Sequence, residues 1–403
     1  MNIKWRDDSN FRLPQRAFAT RAIWVRRRAV CAALTIAAVL VVRGIHAALA
    51  ADVPGSLIST MPMPGAPSGA SAYRIVYTST GLLGEPVPVS GVVVVPGGPE
   101  PPGGRPIVAW AHPTTGVVNR CAPSLARVFF SSVQGLNAML ARGYIVAATD
   151  YPGLGTPEVH PYLVGISEGR AVLDSVRAAQ QIPGADAGQV FAVWGHSQGG
   201  HAALYAGLLA KQYAPELHLL GVAAAAPATD LATLMTDDLG TGGGNNITAM
   251  TLWSWSRIYG VSITSIVMPG ALPVIDQLAN ECIERWFDMF IRRGPTSALE
   301  KQFLAVHDLA TVEPWRGLLA QNSPSPLPPD IPVFIAQGTA DLLVRPPVTA
   351  AFVDALCRGG SRVKVDLLQG VGHAFIARDV ATDAIAWIAA RFEKKSAPND
   401  CSR

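Results

Sequence analysis

Ser197 stands in Gly195-His196-Ser197-Gln198-Gly199, after the β-forming residues Val190, Phe191, Val193 and Trp194 and before Ala and Leu at helical spacing. A strand that turns sharply into a helix holds the residue at the turn in a strained conformation with its side chain above the sheet, and glycines two before and two after let the neighbouring backbones close in. The hydroxyl then lies at the positive end of the helix, where developing negative charge is stabilised. Five letters alone are a weak signal in a chain with 38 glycines, and the plainer reading of Ser197 is a helix N-cap. The flanking strand and helix favour a nucleophile.

A serine hydroxyl needs a histidine to take its proton and an acid to fix that histidine's tautomer, in the chain order Ser, acid, His on this kind of scaffold. His373, in Gln369-Gly370-Val371-Gly372-His373, follows the last expected strand and precedes the last expected helix. His196, His201, His218 and His307 read as packing or surface. For the acid, Asp341 ends Gln337-Gly338-Thr339-Ala340-Asp341 at the end of a buried strand, with Asp230 as its rival. Acyl transfer also needs two N–H donors for the oxyanion. Gln198 supplies one from its backbone, and the loop His112-Pro113-Thr114-Thr115-Gly116 must supply the other through Thr114 or Thr115, because Pro113 has no N–H. His112 reads as a residue that positions this loop.

These residues must be carried by a scaffold. Strands are expected at 73–80, 87–96, 107–111, 144–149, 190–194, 219–226, 331–336 and 363–368, and helices at 124–142, 167–181, after Ser197, at 347–358 and at 378–394. The alternation predicts an α/β fold, a mainly parallel sheet flanked by helices. Residues 52–72, rich in Pro, Gly and Ser, read as an irregular arm. After Asp230 the rhythm breaks for about a hundred residues that hold TGGGNN and the tryptophans Trp253, Trp255, Trp286 and Trp315. The expected organisation is a leader at 1–50, a first core part at 51–230, a helical cap at 231–329 and a second core part at 330–403. The tryptophans read by default as core of that cap.

Composition limits the partners. A chain of 403 residues with net charge +3 and only 15% charged residues, much of the arginine excess falling in the first 30, disfavours nucleic acid. A mean hydropathy of +0.27 fits a buried sheet under Ala-rich helices. Arg26-Arg27-Arg28, the apolar run at 29–42 and Ala48-Leu49-Ala50 have the layout of a secretory signal cleaved near Ala50, so no transmembrane segment is expected to remain. Cys31 would leave with it. Cys121, Cys282, Cys357 and Cys401 remain, an even number in an oxidising compartment. Of the three possible pairings the favoured one is Cys121 with Cys282 and Cys357 with Cys401, the first tying the cap to the core and the second tying down the tail. No spacing suggests a metal, and the chemistry calls for no cofactor.

The elbow, Thr149-Asp150-Tyr151-Pro152-Gly153-Leu154-Gly155-Thr156, SEGRAVLDSVRAA at 167–179, Arg120-Cys121-Ala122-Pro123-Ser124 and Tyr213-Ala214-Pro215-Glu216-Leu217 together resemble the secretory lipase family, the group of the Candida antarctica lipase A type, over about residues 55–401. The resemblance implies an α/β-hydrolase fold, a cap above the site, extracellular location and hydrolysis of carboxylic esters including triacylglycerols at a lipid–water interface. Carried onto matching positions, it supports Ser197, Asp341 and His373 as a triad and Cys121 as a disulfide cysteine. HPTTG stands where a yeast member carries an acidic residue, and GHSQG is an elbow common among esterases. Lipase against esterase therefore stays open. The competing readings are a peptidase or amidase on the same fold and a non-catalytic binding protein on a hydrolase scaffold.

Overall fold

The computed structural model describes residues 53–284 and 293–401. The expected leader at 1–50, with Cys31, and Trp286 lie outside the described residues.

Among the described residues nine strands form one sheet in the order β1-β2-β3-β5-β4-β6-β7-β8-β9. They are β1 (Leu57–Pro62), β2 (Ala70–Thr80), β3 (Pro86–Pro96), β4 (Arg105–Ala111), β5 (Ile145–Thr149), β6 (Ala187–His196), β7 (His218–Ala225), β8 (Val333–Gly338) and β9 (Val363–Leu368). From β5 to β9 every neighbouring pair is parallel, while β1, β2 and β3 join antiparallel at one side. The central strands are near-continuous apolar runs because both faces are covered: all of β5, β8 and the last six residues of β6 are buried. β1 corrects the irregular arm expected at 52–72. Five of its six residues are exposed, so as a sheet edge it carries none of the inward alternation that marks a strand in sequence.

Among the described residues the α-helices of six or more residues are α1 (Leu136–Ala141), α2 (Gly165–Ala179), α3 (Gln198–Tyr213), α4 (Leu231–Asp237), α5 (Gly242–Ile258), α6 (Leu272–Ala279), α7 (Arg293–Lys301), α8 (Trp315–Gln321), α9 (Pro346–Arg358) and α10 (Ile376–Phe392). The single helix expected at 124–142 is broken into short pieces, with Gly135 at φ 80° immediately before α1. One apolar cluster joins α2 and α3 to one face of the sheet, and a second joins α10, α4 and α5 to the other. The helices α2 and α3 meet closely because Gly169 offers no side chain there: a Cβ would sit 2.8 Å from the Tyr205 backbone. Helices α4 to α8 lie between β7 and β8 in the chain. Their buried tryptophans are core, as expected: Trp255 stacks on Trp315 with ring centres 6.3 Å apart and donates its indole N–H to the Tyr162 carbonyl at 2.8 Å. Two disulfides, Cys121–Cys282 and Cys357–Cys401, pair as favoured from the sequence. Among the described residues no helix is long and apolar enough to cross a membrane.

Candidate active site

At the junction of β6 and α3, Ser197 has φ 57° and ψ −119°, a positive φ that a residue with a side chain adopts only when its surroundings impose it. The two glycines make the turn possible. A Cβ on Gly195 would fall 2.0 Å from the Gly199 carbonyl, and one on Gly199 would fall 1.9 Å from the Ala111 carbonyl. The elbow is thus pressed against the end of β4 and the loop that follows it. The Ser197 hydroxyl makes no capping bond to α3, against the N-cap reading, and instead meets Nε2 of His373 at 2.8 Å.

His373 comes from the loop between β9 and α10, and Asp341 from the loop after β8. Backbone bonds from Thr339 N–H to the Leu368 carbonyl and from Ala340 N–H to the Val371 carbonyl stitch these two loops together, so neighbouring parallel strands deliver acid and imidazole side by side. Nδ1 of His373 donates to Oδ2 of Asp341 at 2.8 Å, which leaves a lone pair on Nε2 facing the serine. Oδ1 of Asp341 accepts the N–H groups of Leu343 and Val344, each at 2.9 Å. Burial works against ionisation of this carboxyl, but the His373 imidazole and the two backbone donors outweigh it and hold Asp341 below its ordinary range. The rival acid is elsewhere: Asp230 caps α4, accepting from the N–H and hydroxyl of Thr233.

His196, read as packing, anchors the loop that carries His373. Its Nε2–H donates to the His373 carbonyl at 3.0 Å, and burial together with the neighbouring His373 ring pushes its pKa down to about 3, so the ring is neutral. His218 and His307 are exposed. His112 bonds the Pro113 and Asp150 carbonyls at 2.7 and 3.2 Å. The expected oxyanion threonines differ. Thr114 lines the same pocket as Ser197 and Gln198, its hydroxyl 2.8 Å from the Tyr162 hydroxyl. Thr115 gives its carbonyl to the Ile283 N–H, and its buried hydroxyl has no partner. The pocket continues away from Ser197 along Leu163, Leu231, Leu234, Met235, Ile247 and Leu343, a mostly aliphatic wall.

A second polar cluster, which the sequence reading missed, lies under the elbow. Glu168 of α2 is fully buried. Its Oε1 accepts the Leu163 N–H at 2.9 Å and the Gln198 carboxamide at 2.7 Å, and its Oε2 meets Nδ1 of His201 at 2.9 Å. Nε2 of His201 meets the Asn322 carbonyl at 2.8 Å. Gly165 and Gly169 line the close contact of α2 with Tyr205, but the residues around Glu168 do not announce its partners, which lie 30 and 33 positions away on α3.

A serine on a strand–helix elbow, with a histidine and a carboxylate delivered by the last two strands of a parallel sheet, defines a serine hydrolase of the α/β-hydrolase class. The chain belongs to the secretory lipase family, whose sequence profile matches residues 132–400, and it is an ester hydrolase of the serine class. Its fold is similar to that of Candida antarctica lipase A (TM-score 0.70, 18% identity, covering 87% of this chain and 85% of that one). It is equally similar to the rice cell wall degrading esterase LipA of Xanthomonas oryzae (TM-score 0.70, 19% identity, covering 85% and 100%). Among its relatives is a Mycobacterium tuberculosis protein described as a "probable inactive lipase", 24% identical over 366 residues that cover 85% of this chain and 77% of the relative.

Proposed function

We propose that this protein is an exported carboxylic ester hydrolase of lipase type, with Ser197 as nucleophile, His373 as general base and Asp341 as the acid that orients it. Ser197 Oγ attacks the ester carbonyl carbon as its proton passes to Nε2 of His373. The tetrahedral oxyanion takes hydrogen bonds from the Gln198 N–H at the start of α3 and from the loop after β4, where pocket position favours Thr114 over Thr115. His373 then gives its proton to the departing alcohol, leaving an acyl group on Ser197, and a water activated by the same imidazole removes it. The aliphatic pocket suits the acyl chain, and residues 231–329 serve as a cap over the core formed by 51–230 and 330–403. The substrate is an acyl ester or triacylglycerol met at a lipid–water interface. Two disulfides favour export to an oxidising compartment, after cleavage of the leader near Ala50.

The observation that carries this reading is the Ser197 hydroxyl turned away from its helix and toward His373 at 2.8 Å. It also favours a catalytic protein over a non-catalytic scaffold, because the three groups are in register for proton transfer. A hydrolysis profile over p-nitrophenyl and glycerol esters from acetate to long chains tests it. Turnover that disappears in Ser197→Ala supports the reading; retained turnover in that variant, or cleavage of peptides in preference to esters, contradicts it.

A further inference from the structure

The cluster beneath the elbow is arranged around one carboxamide. Gln198 has two N–H groups on Nε2, one aimed at Oε1 of Glu168 (2.7 Å) and the other at Nε2 of His160 (3.1 Å). The His160 ring can accept because its Nδ1–H is committed to the Pro152 carbonyl at 2.8 Å, and burial lowers its pKa to about 4, keeping it neutral. The carboxylate also decides which way the amide faces, since the reverse orientation would set oxygen against oxygen. In this orientation Oε1 of Gln198 is buried without a partner, a costly arrangement in a native structure. The charge-assisted bond to Glu168 offsets that cost.

Glu168 is itself held on three sides, by α2, by the Leu163 N–H and by His201. His201 lies one helical turn after Ser197, and its N–H donates to the Ser197 carbonyl at 3.0 Å. Its two ring nitrogens face the Glu168 carboxylate at 2.9 Å and the Asn322 carbonyl at 2.8 Å. With both nitrogens engaged in this way, the ring has no free lone pair to act as a base.

We propose that Glu168 is a positioning residue for the oxyanion donor: by clamping the Gln198 carboxamide it fixes the orientation of the first turn of α3, and hence of the Gln198 N–H. The proposal rests on the reading of Ser197 as nucleophile and Gln198 as oxyanion donor. The clamp acts on developing charge and not on substrate binding, so its loss lowers kcat and leaves KM unchanged.

The test compares Glu168→Ala, Gln198→Leu, the double variant and Glu168→Gln on a p-nitrophenyl ester, with each kcat divided by the number of sites titrated by a fluorophosphonate probe. Gln198→Leu opens the clamp from the other side while Glu168 keeps its bonds to His201 and Leu163. The expected result is a kcat at least tenfold lower in each single variant with KM unchanged, and no further loss in the double, because both substitutions break one contact. Glu168→Gln restores kcat to within about threefold, since a carboxamide can accept from Leu163 and Gln198 and donate to Nδ1 of His201. Unchanged kcat per titrated site in Gln198→Leu, or losses that multiply in the double, would overturn the proposal. Should Glu168→Ala fail to fold, Gln198→Leu alone decides it. Absence of probe labelling at Ser197 in the unmodified protein would instead overturn the functional reading beneath it.

Discussion

Two carboxylate–imidazole pairs of nearly equal length lie on either side of the elbow: Asp341 with His373 at 2.8 Å, and Glu168 with His201 at 2.9 Å. What separates them is the partner of the other ring nitrogen. Nε2 of His373 faces a hydroxyl, which can surrender a proton. Nε2 of His201 faces a carbonyl, which can only accept one. The first ring therefore keeps a lone pair toward Ser197, which lines a pocket, while the second has both nitrogens engaged and is fully buried. An acid beside a histidine is thus insufficient to identify a base.

Ser197→Ala removes the hydroxyl that distinguishes the first pair, and we expect ester hydrolysis to fall by about 10⁴-fold or more with the thermal midpoint unaffected. Steady-state kinetics alongside a melting curve checks this. The sharpest comparison is the same acid-to-amide change in each pair. In Asp341→Asn the amide oxygen stays with the Leu343 and Val344 N–H groups, its NH₂ faces Nδ1 of His373, and the ring is forced into the tautomer with a proton on Nε2. A loss of about 10³- to 10⁴-fold in kcat is expected, against about threefold or less for Glu168→Gln. Similar losses in both variants would mean that the two pairs share one role.

The sequence made the first pair legible and hid the second. Ser197, Asp341 and His373 each sit on a short glycine-marked turn at the end of an apolar run, and their chain order is set by how parallel strands deliver loops to one edge. Glu168, as the acidic residue in the first turn of α2, looks like an ordinary favourable helix charge. Its partner is 33 positions away, and only tertiary packing brings them together. The edge strand β1 was hidden for the same reason, since its identity comes from pairing with β2 and not from its own residues.

A smaller effect should appear in the pH dependence of stability. Burial holds His196 at about 3 and His160 at about 4, both below the ordinary 6.5. As pH falls, the unfolded chain takes up these protons first, so the stability they contribute is complete above pH 6.5 and is lost as pH drops toward 4. Urea unfolding followed from pH 7 to pH 4 should show this decline, with a shallower slope in His196→Asn. The least effect on activity is expected at the tail disulfide. Replacing Cys357 and Cys401 by serine, which opens a 44-residue separation, should lower stability by up to about 4 kcal/mol and leave kcat unchanged. Opening Cys121–Cys282 should reach the chemistry, because that bond lies next to the contact between Ile283 and Thr115 in the loop after β4.

In the proposed mechanism the Ser197 hydroxyl forms a covalent bond with the acyl group of its substrate. Rapid acid quenching of the enzyme with a p-nitrophenyl ester, followed by peptide mass spectrometry, tests it most directly. The expected outcome is an added acyl mass on the peptide containing Ser197 that appears with the burst of nitrophenol and decays as the ester is consumed. Steady hydrolysis with no such adduct, or with the acyl group on another residue, would contradict it.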